Sequence, residues 1–373
     1  MEVKMLFPDE ALFEYVLIEF AAELAARPVP PINPLPCDRW IARSCLQKAV
    51  RRGQSELAQR ALANLFEYDR RSTWRHIAII ALEDVGVANV EVLARIIAAQ
   101  RDRKWRQSRG GDWSVMAELV RQMAESNHCQ AACDLLLRAI NDPALETQRA
   151  TALEMDLGPL AIELWDTSAA IETRAIAALA MGGGLADRQQ HKDRCAVFDI
   201  LSEASRSTHV VATCRSAWKL SRNPMAFLLP LAWEKWVASE HYVANDAMPS
   251  VASLNGVPGY SLDQFTRIGN SISRAFVGSD DNLRKMLIDA KIPPAAHSRT
   301  IGDLLFLIEG GMLANRVIWP DADRLRHPNR QLPAAAALAE NIGSILAYIA
   351  AKGRQIALLR EQLFIPTVAD IAR

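Results

Sequence analysis

The chain has 373 residues, half of them hydrophobic and 23% charged, with 43 Lys+Arg balancing 43 Asp+Glu. That composition supplies a buried core and excludes both a largely disordered chain and a globally basic nucleic-acid protein. The length allows two or three domains. Six cysteines (Cys37, Cys45, Cys129, Cys133, Cys195 and Cys214) are too few for a disulfide scaffold and fit a reducing compartment. Asp9, Glu10, Glu14 and Glu19 interrupt the first apolar stretch, so it does not read as a signal peptide. No uncharged apolar run reaches the length of about 18 residues that a membrane span needs. The expected address is cytoplasmic.

Helical periodicity is widespread, and period-two alternation is scarce. Leu12, Phe13, Val16, Leu17, Phe20 and Leu24 form one helical face over 9–26. The prolines of 28–36 then exclude helix and predict a stiff, extended linker. This leaves two roles for the first helix: a docking element on an arm, or a helix packed on its own core. Helices are expected at 39–52, 55–67, 72–84, 89–101, 112–125 and 128–140. Ser55 and Ser72 are the expected N-caps, and Gly53 and Gly86 the expected terminators. More antiparallel helices follow over 144–222, broken by Gly182, Gly183 and Gly184. A Trp-rich helix begins after Asn223-Pro224, and 245–260 reads as a loop. Helices resume at 261–277, 280–290 and 298–309. A long Ala-rich helix over 334–364, kinked near Gly353, closes the chain. No fixed-period repeat is present. The expected fold class is all-α. The expected division is an N-terminal helix and linker (1–36), a basic helical domain (37–142) and a helical C-terminal domain (143–373).

The zero net charge hides an asymmetry. Between residues 39 and 109 there are fifteen Lys/Arg and seven Asp/Glu, an excess of eight positive charges that the rest of the chain offsets. The densest stretch, 101–109, carries Arg101, Arg103, Lys104, Arg106 and Arg109 around Trp105, and Gly110-Gly111 follows it. Such a segment can track phosphates and stack an aromatic ring on a base. Its other reading is a solvated helix end whose cations complement the helix dipole, with Trp105 and Trp113 as packing residues. Lys48, Arg51 and Arg52 are a second candidate for nucleic-acid contact or for a partner's carboxylates. The nine tryptophans are spread along the chain and read mainly as packing anchors.

The motifs point away from an enzyme. No G-x-x-x-x-G-K-[ST] occurs, so no P-loop nucleotide hydrolysis is expected. Gly182 to Gly184 read as a turn. His128, Cys129 and Cys133 have spacings that could bring ligands to one face of a helix, but no second cluster completes a metal site. Neither a metal nor a cofactor is expected. Glu83 and Asp84 are adjacent, and adjacent helical side chains diverge by about 100°, so they read as caps or Arg partners rather than an acid–base pair. The 260–267 segment is denser in polar groups. Tyr260, Asp263, Thr266 and Arg267 could line a site for a phosphate or a ribose. Alternatively, Asp263 and Arg267 form an i, i+4 pair on a helix packed through Leu262, Phe265 and Ile268.

Two stretches resemble a known family. Lys48, Ala49, Val50, Arg51 and Gly53, then Arg75, Ala81, Glu83, Asp84, Val85, Gly86 and Ala88, are similar to the C-terminal helical region of the RarA/MgsA/WRNIP-type AAA+ ATPases, relatives of clamp-loader subunits. The resemblance covers residues 44–100, extending toward 140, and its most specific part is Glu-Asp-Val-Gly-x-Ala. Gln47 stands where the family has a His, and no ATPase core is present, so ATP hydrolysis is not implied. The resemblance implies a collar-like oligomerisation module of a protein acting at stalled replication forks. The charge pattern adds an expected partner or subunit interface, with Glu83 and Asp84 beside Arg-rich helices and Arg75 among the cations available to pair with them.

The resulting expectation is a non-catalytic helical protein of DNA replication, repair or mobile-element maintenance. It would act through DNA, a protein partner or another copy of itself. The alternatives are a helical scaffold without nucleic acid, or a nucleotide-binding protein using the 260–267 segment.

Overall fold

A computed structural model describes residues 9–185, 194–204, 207–326, 338 and 340–364. The fold is all-α. It comprises two compact units that interleave along the chain: Met1–Pro30, Trp74–Ala244 and Arg316–His327 form one, and Pro31–Thr73, Asn245–Asn315 and Pro328–Arg373 the other. The expected contiguous domains 37–142 and 143–373 are therefore not the compact units. The resembling stretch is itself divided, with Lys48 to Gly53 in the second unit and Arg75 to Ala88 in the first.

In the first unit, α1 (Asp9–Ala25) buries Phe13, Val16, Leu17, Phe20 and Leu24, which recur every three or four residues along one face. It packs on α5 (Val90–Arg101), so it is a core helix rather than a free arm. Arg95 of α5 grips Glu23 through both terminal nitrogens at 2.7 and 2.8 Å. Asn89 caps α5 by accepting the Val92 N–H at 3.2 Å.

Before α5, α4 (Arg70–Ile80) gives way to a π-turn at Ala81–Val85 instead of continuing as the expected helix to 84. Gly86 follows at φ +54°, and a Cβ there would lie 2.2 Å from the Cys129 carbonyl oxygen. Glycine is required here by both conformation and close approach. The short α6 (Arg103–Ser108) leads into α7 (Gly111–Glu125), and α8 spans Ala131–Asn141. The remaining helices of the unit include α9 (Glu146–Glu154), α10 (Leu157–Trp165), α11 (Ile171–Gly182), α12 (Arg194–Ala204), α13 (Thr208–Ser221) and α14 (Met225–Val237). They occupy most of the region expected to be helical after residue 144. Gly182 ends α11 against the Phe227 ring, which a Cβ would meet at 2.4 Å, and Gly183 takes the left-handed C-cap at φ +75°. The glycine run is thus a packed helix terminus. A small antiparallel pair, β1 (Tyr242–Ala244) with a strand at Arg316–Ile318, completes the unit.

In the second unit, α2 (Arg39–Arg51) packs on α3 (Ser55–Tyr68); α2 buries Ile41, Cys45 and Ala49, and α3 buries Ala58, Ala61 and Leu62. Asp38 caps α2, accepting from the Trp40 and Ile41 N–H groups at 2.7 and 2.9 Å. Asp69, rather than Ser72, caps the start of α4, accepting from the Arg71 and Ser72 N–H groups at 2.9 and 3.3 Å. The 245–260 region contains a hairpin, Ser253–Leu254 paired with Val257–Pro258. Asn255 and Gly256 form its turn at φ +52° and +82°. Asn-Gly is the sequence signal for such a turn, and the loop reading overlooked it.

The unit continues with α15 (Arg267–Ser279), α16 (Asp281–Asp289) and α17 (His297–Leu305). Its final helices, Ile342–Ala351 and Gly353–Leu363, bend by 63° at Lys352, where the kink was expected. Residues 334–337 and 339 of the anticipated long helix lie outside the described residues. Among the described residues, no single helix is long and apolar enough to cross a membrane.

Candidate functional sites

The 101–109 segment lies in the first unit. Asp102 ends α5 and caps α6, its carboxylate accepting the Trp105 N–H at 2.9 Å. Arg106 turns inward. It donates to the Ala99 and Gln100 carbonyls at 2.6 and 2.8 Å, and pairs with Asp112. These carbonyls belong to the last turn of α5, so Arg106 fulfils the helix-end role. The buried Arg106 is therefore not a nucleic-acid contact, contrary to its sequence assignment.

Trp105 is also part of the structure. Its ring stacks on Phe20 at 5.7 Å between centroids, with 26° between planes. Trp113 is buried and donates its indole N–H to the Pro30 carbonyl at 2.8 Å. Arg101, Arg103, Lys104 and Arg109 remain exposed. Arg101 lies over the Phe13 ring at 5.0 Å, and none of the four forms an ion pair among the described residues.

In the second unit, α2 gives its cations a different setting. Lys48 and Arg51 are each 1% exposed. Lys48 Nζ lies 2.5 Å from Asp263 Oδ2 and donates to Ser44 Oγ at 2.8 Å, and Ser44 donates in turn to Asp263 Oδ1 at 3.1 Å. Phe265 and Phe306 flank the ammonium at 5.8 and 5.5 Å. Burial pushes the Lys48 ammonium below the ordinary lysine range, and the Asp263 charge opposes that shift.

Arg51 donates to the Gly310 carbonyl at 2.9 Å, and half-buried Arg52 donates to the Glu309 carbonyl at 2.7 Å. Arg52 also lies over the Tyr260 ring at 4.1 Å. Lys48, Arg51 and Arg52 therefore hold this unit together and do not form a phosphate-tracking row. Arg360 forms a two-pronged pair with Glu309, at 3.2 and 2.6 Å. Beside it, a cavity bounded by Tyr260, Asp263, Glu309 and Arg360 has about 10 Å³ of interior, room for one water molecule. That volume does not admit a ribose or a nucleotide.

The 260–267 segment also departs from expectation. Its helix starts at Arg267, with Thr266 as the N-cap accepting from the Gly269 N–H at 2.9 Å. Asp263 lies before that helix and pairs with Lys48 rather than Arg267, which is exposed. Phe265 is 68% exposed rather than packed. Tyr260 is buried and donates to Gln54, and burial raises its hydroxyl pKa further above the ordinary value. The four residues do not line a common polar site.

The Glu-Asp-Val-Gly element is an internal anchor. Asp84 is fully buried, accepts from Gln130 Nε2 at 2.8 Å, and its backbone carbonyl accepts the Cys129 N–H at 2.9 Å. Buried Asp84 therefore cannot take the partner-surface role assigned to it. Glu83 is partly exposed, and exposed Arg75 donates to the Ser221 carbonyl at 3.0 Å. His128 and Cys129 precede α8 instead of lying on it, so the helical spacing considered for a metal does not apply. Trp319 donates its indole N–H to Cys129 Sγ at 3.5 Å, and burial raises the Cys129 thiol to about 11.

Comparison with protein families, curated proteins and solved structures gives no match.

Proposed function

We propose that this is a non-catalytic helical binding protein that engages a polyanion, nucleic acid first, through Arg101, Arg103, Lys104 and Arg109. One observation carries the reading. The segment's inward-turning cation and its two nearest carboxylates serve the fold, through the Arg106–Asp112 pair and the Asp102 cap, while the other four cations face solvent. Exposed cations without carboxylate partners suit phosphate contact because binding releases condensed counterions. The family resemblance adds the setting of replication, repair or mobile-element maintenance, with assembly into oligomers or onto a replication partner.

The test is fluorescence anisotropy of labelled single-stranded and forked DNA over a salt series, with light scattering for mass. The comparison is the intact chain against the Arg101→Ala, Arg103→Ala, Lys104→Ala, Arg109→Ala quadruple variant. Binding that weakens with salt, with a slope smaller by about 0.7–0.9 for each phosphate contact removed, is expected. Absence of binding at low salt, or equal slopes for the two proteins, overturns the reading. The scattering mass then distinguishes a self-associating scaffold from a monomer.

A further inference from the structure

The second unit carries an exposed aromatic pair, one member of which is a tryptophan expected to be a packing anchor. Trp40, at the start of α2, is 49% exposed, and Tyr68, at the end of α3, is 53% exposed. Packing of α2 on α3 brings these ends together. Arg39 lies between them, its guanidinium carbon 4.9 Å from the Trp40 ring centre and 4.2 Å from that of Tyr68. Among the described residues, Arg39 has ring partners and no carboxylate partner.

We infer that Trp40, Arg39 and Tyr68 form a stacking site for unpaired nucleic-acid bases. Aromatic faces bind bases with little regard to sequence, and a guanidinium plane can stack among them. The surrounding charge suits a phosphate chain. Arg43 lies one turn further along α2 and is exposed, as are Arg70 and Arg71 just beyond Tyr68. Arg70 rests over the Phe66 ring at 4.6 Å. Glu67 and Asp69 are the exposed carboxylates beside Tyr68, and Asp69, like Asp38, accepts backbone N–H groups at a helix start. A duplex keeps its base faces covered, so a site of this chemistry selects single strands. The inference rests on the nucleic-acid reading above and deepens it by naming the unpaired base as the group recognised.

The experiment uses the full chain and two labelled probes at one salt concentration. One is an oligothymidylate, and the other is a deoxyribose-phosphate oligomer of the same length without bases. They have matching backbone charge and differ in the groups that stack. Oligothymidylate is expected to bind about tenfold more tightly, within the range that stacking of one or two bases supplies. Trp40→Ala and Tyr68→Ala should each reduce this ratio severalfold, while Trp40→Phe retains most of it. Both alanine positions are exposed, and an unchanged helical circular-dichroism signal verifies that the variants fold.

The quadruple variant of the 101–109 segment should weaken both probes alike and leave their ratio intact. A ratio near one for the unaltered chain, or a ratio unchanged in both alanine variants, overturns the stacking site while salt-dependent binding of either probe leaves the polyanion reading standing. Failure of both probes to bind at low salt overturns that reading and the stacking site with it.

Discussion

Lys48 and Arg51 of α2 and Arg103 and Lys104 of α6 are the same chemistry in two regions of one basic stretch. The first pair is buried, the second exposed. Local sequence does not explain the difference, because both pairs occur on short helices rich in Lys and Arg. Partners from elsewhere in the chain decide it. Asp263 and the Gly310 carbonyl meet the α2 cations from more than 200 positions away. For α6, the nearby Asp112 and the end of α5 take Arg106 alone. Charge density therefore marks a segment as a candidate surface only after the buried partners of each cation are known.

The largest expected effect comes from breaking the buried side of this contrast. Asp263→Ala leaves the Lys48 ammonium unpaired and should cost about 3–5 kcal/mol in urea unfolding. Adding Lys48→Met should recover much of that loss, because an apolar pair of similar volume replaces a buried charge pair at little cost. A small effect from Asp263→Ala alone would show that Lys48 already sheds its charge in the folded protein.

The next effect concerns the π-turn. Gly86→Ala forces a Cβ against the Cys129 carbonyl at a positive φ, and should destabilise by about 2–3 kcal/mol. Loss of this size would mark the Glu-Asp-Val-Gly element as a structural anchor; a neutral result would refute the close approach.

A smaller, pH-dependent effect is expected at Glu172, which pairs with Arg138 at 3.0 Å and with Arg324. Burial pushes its carboxyl up, but the Arg324 hydrogen bond and the charges of Arg324 and Arg138 outweigh burial and hold it below the ordinary 4.5. Its folded pKa being depressed, the stabilisation is present above pH 4.5 and is lost as the pH falls through the folded value. Glu172→Gln should therefore be less stable by about 1–3 kcal/mol at neutral pH, with the gap closing in acid. A gap independent of pH would mean that packing, not charge, is what the substitution removes.

The smallest expected effect lies on the exposed side. Arg103→Ala, Lys104→Ala and Arg109→Ala together should leave the urea midpoint unchanged, since among the described residues these side chains have no ion pairs to lose. A marked loss would mean that the segment serves stability, and would erase the contrast with α2.

Much of this architecture is legible locally. The helical face of α1, the approximate bounds of α2 and α3 and the break at Lys352 follow from side-chain periodicity and residue-specific backbone preferences. Those forces act within a few residues, so a linear sequence displays them. The Asn255-Gly256 turn, by contrast, lies in a stretch expected to be loop, and Gln54, not Ser55, precedes α3 as its N-cap. The candidate sites were only partly legible. The 101–109 cations could be read from composition, but Arg106 could not be separated from its neighbours without seeing the α5 carbonyls that it caps. Trp40 looks like any core tryptophan until α3 places Tyr68 across Arg39.

By itself, the sequence determined the all-α class, most helix positions and the charge asymmetry. Tertiary structure decided which cations are buried, which carboxylates face inward and how the chain interleaves into two compact units. The physical reason is reach. Helix propensity and capping are settled between neighbours in sequence, whereas desolvating a charge requires a partner that folding alone brings within about 3 Å.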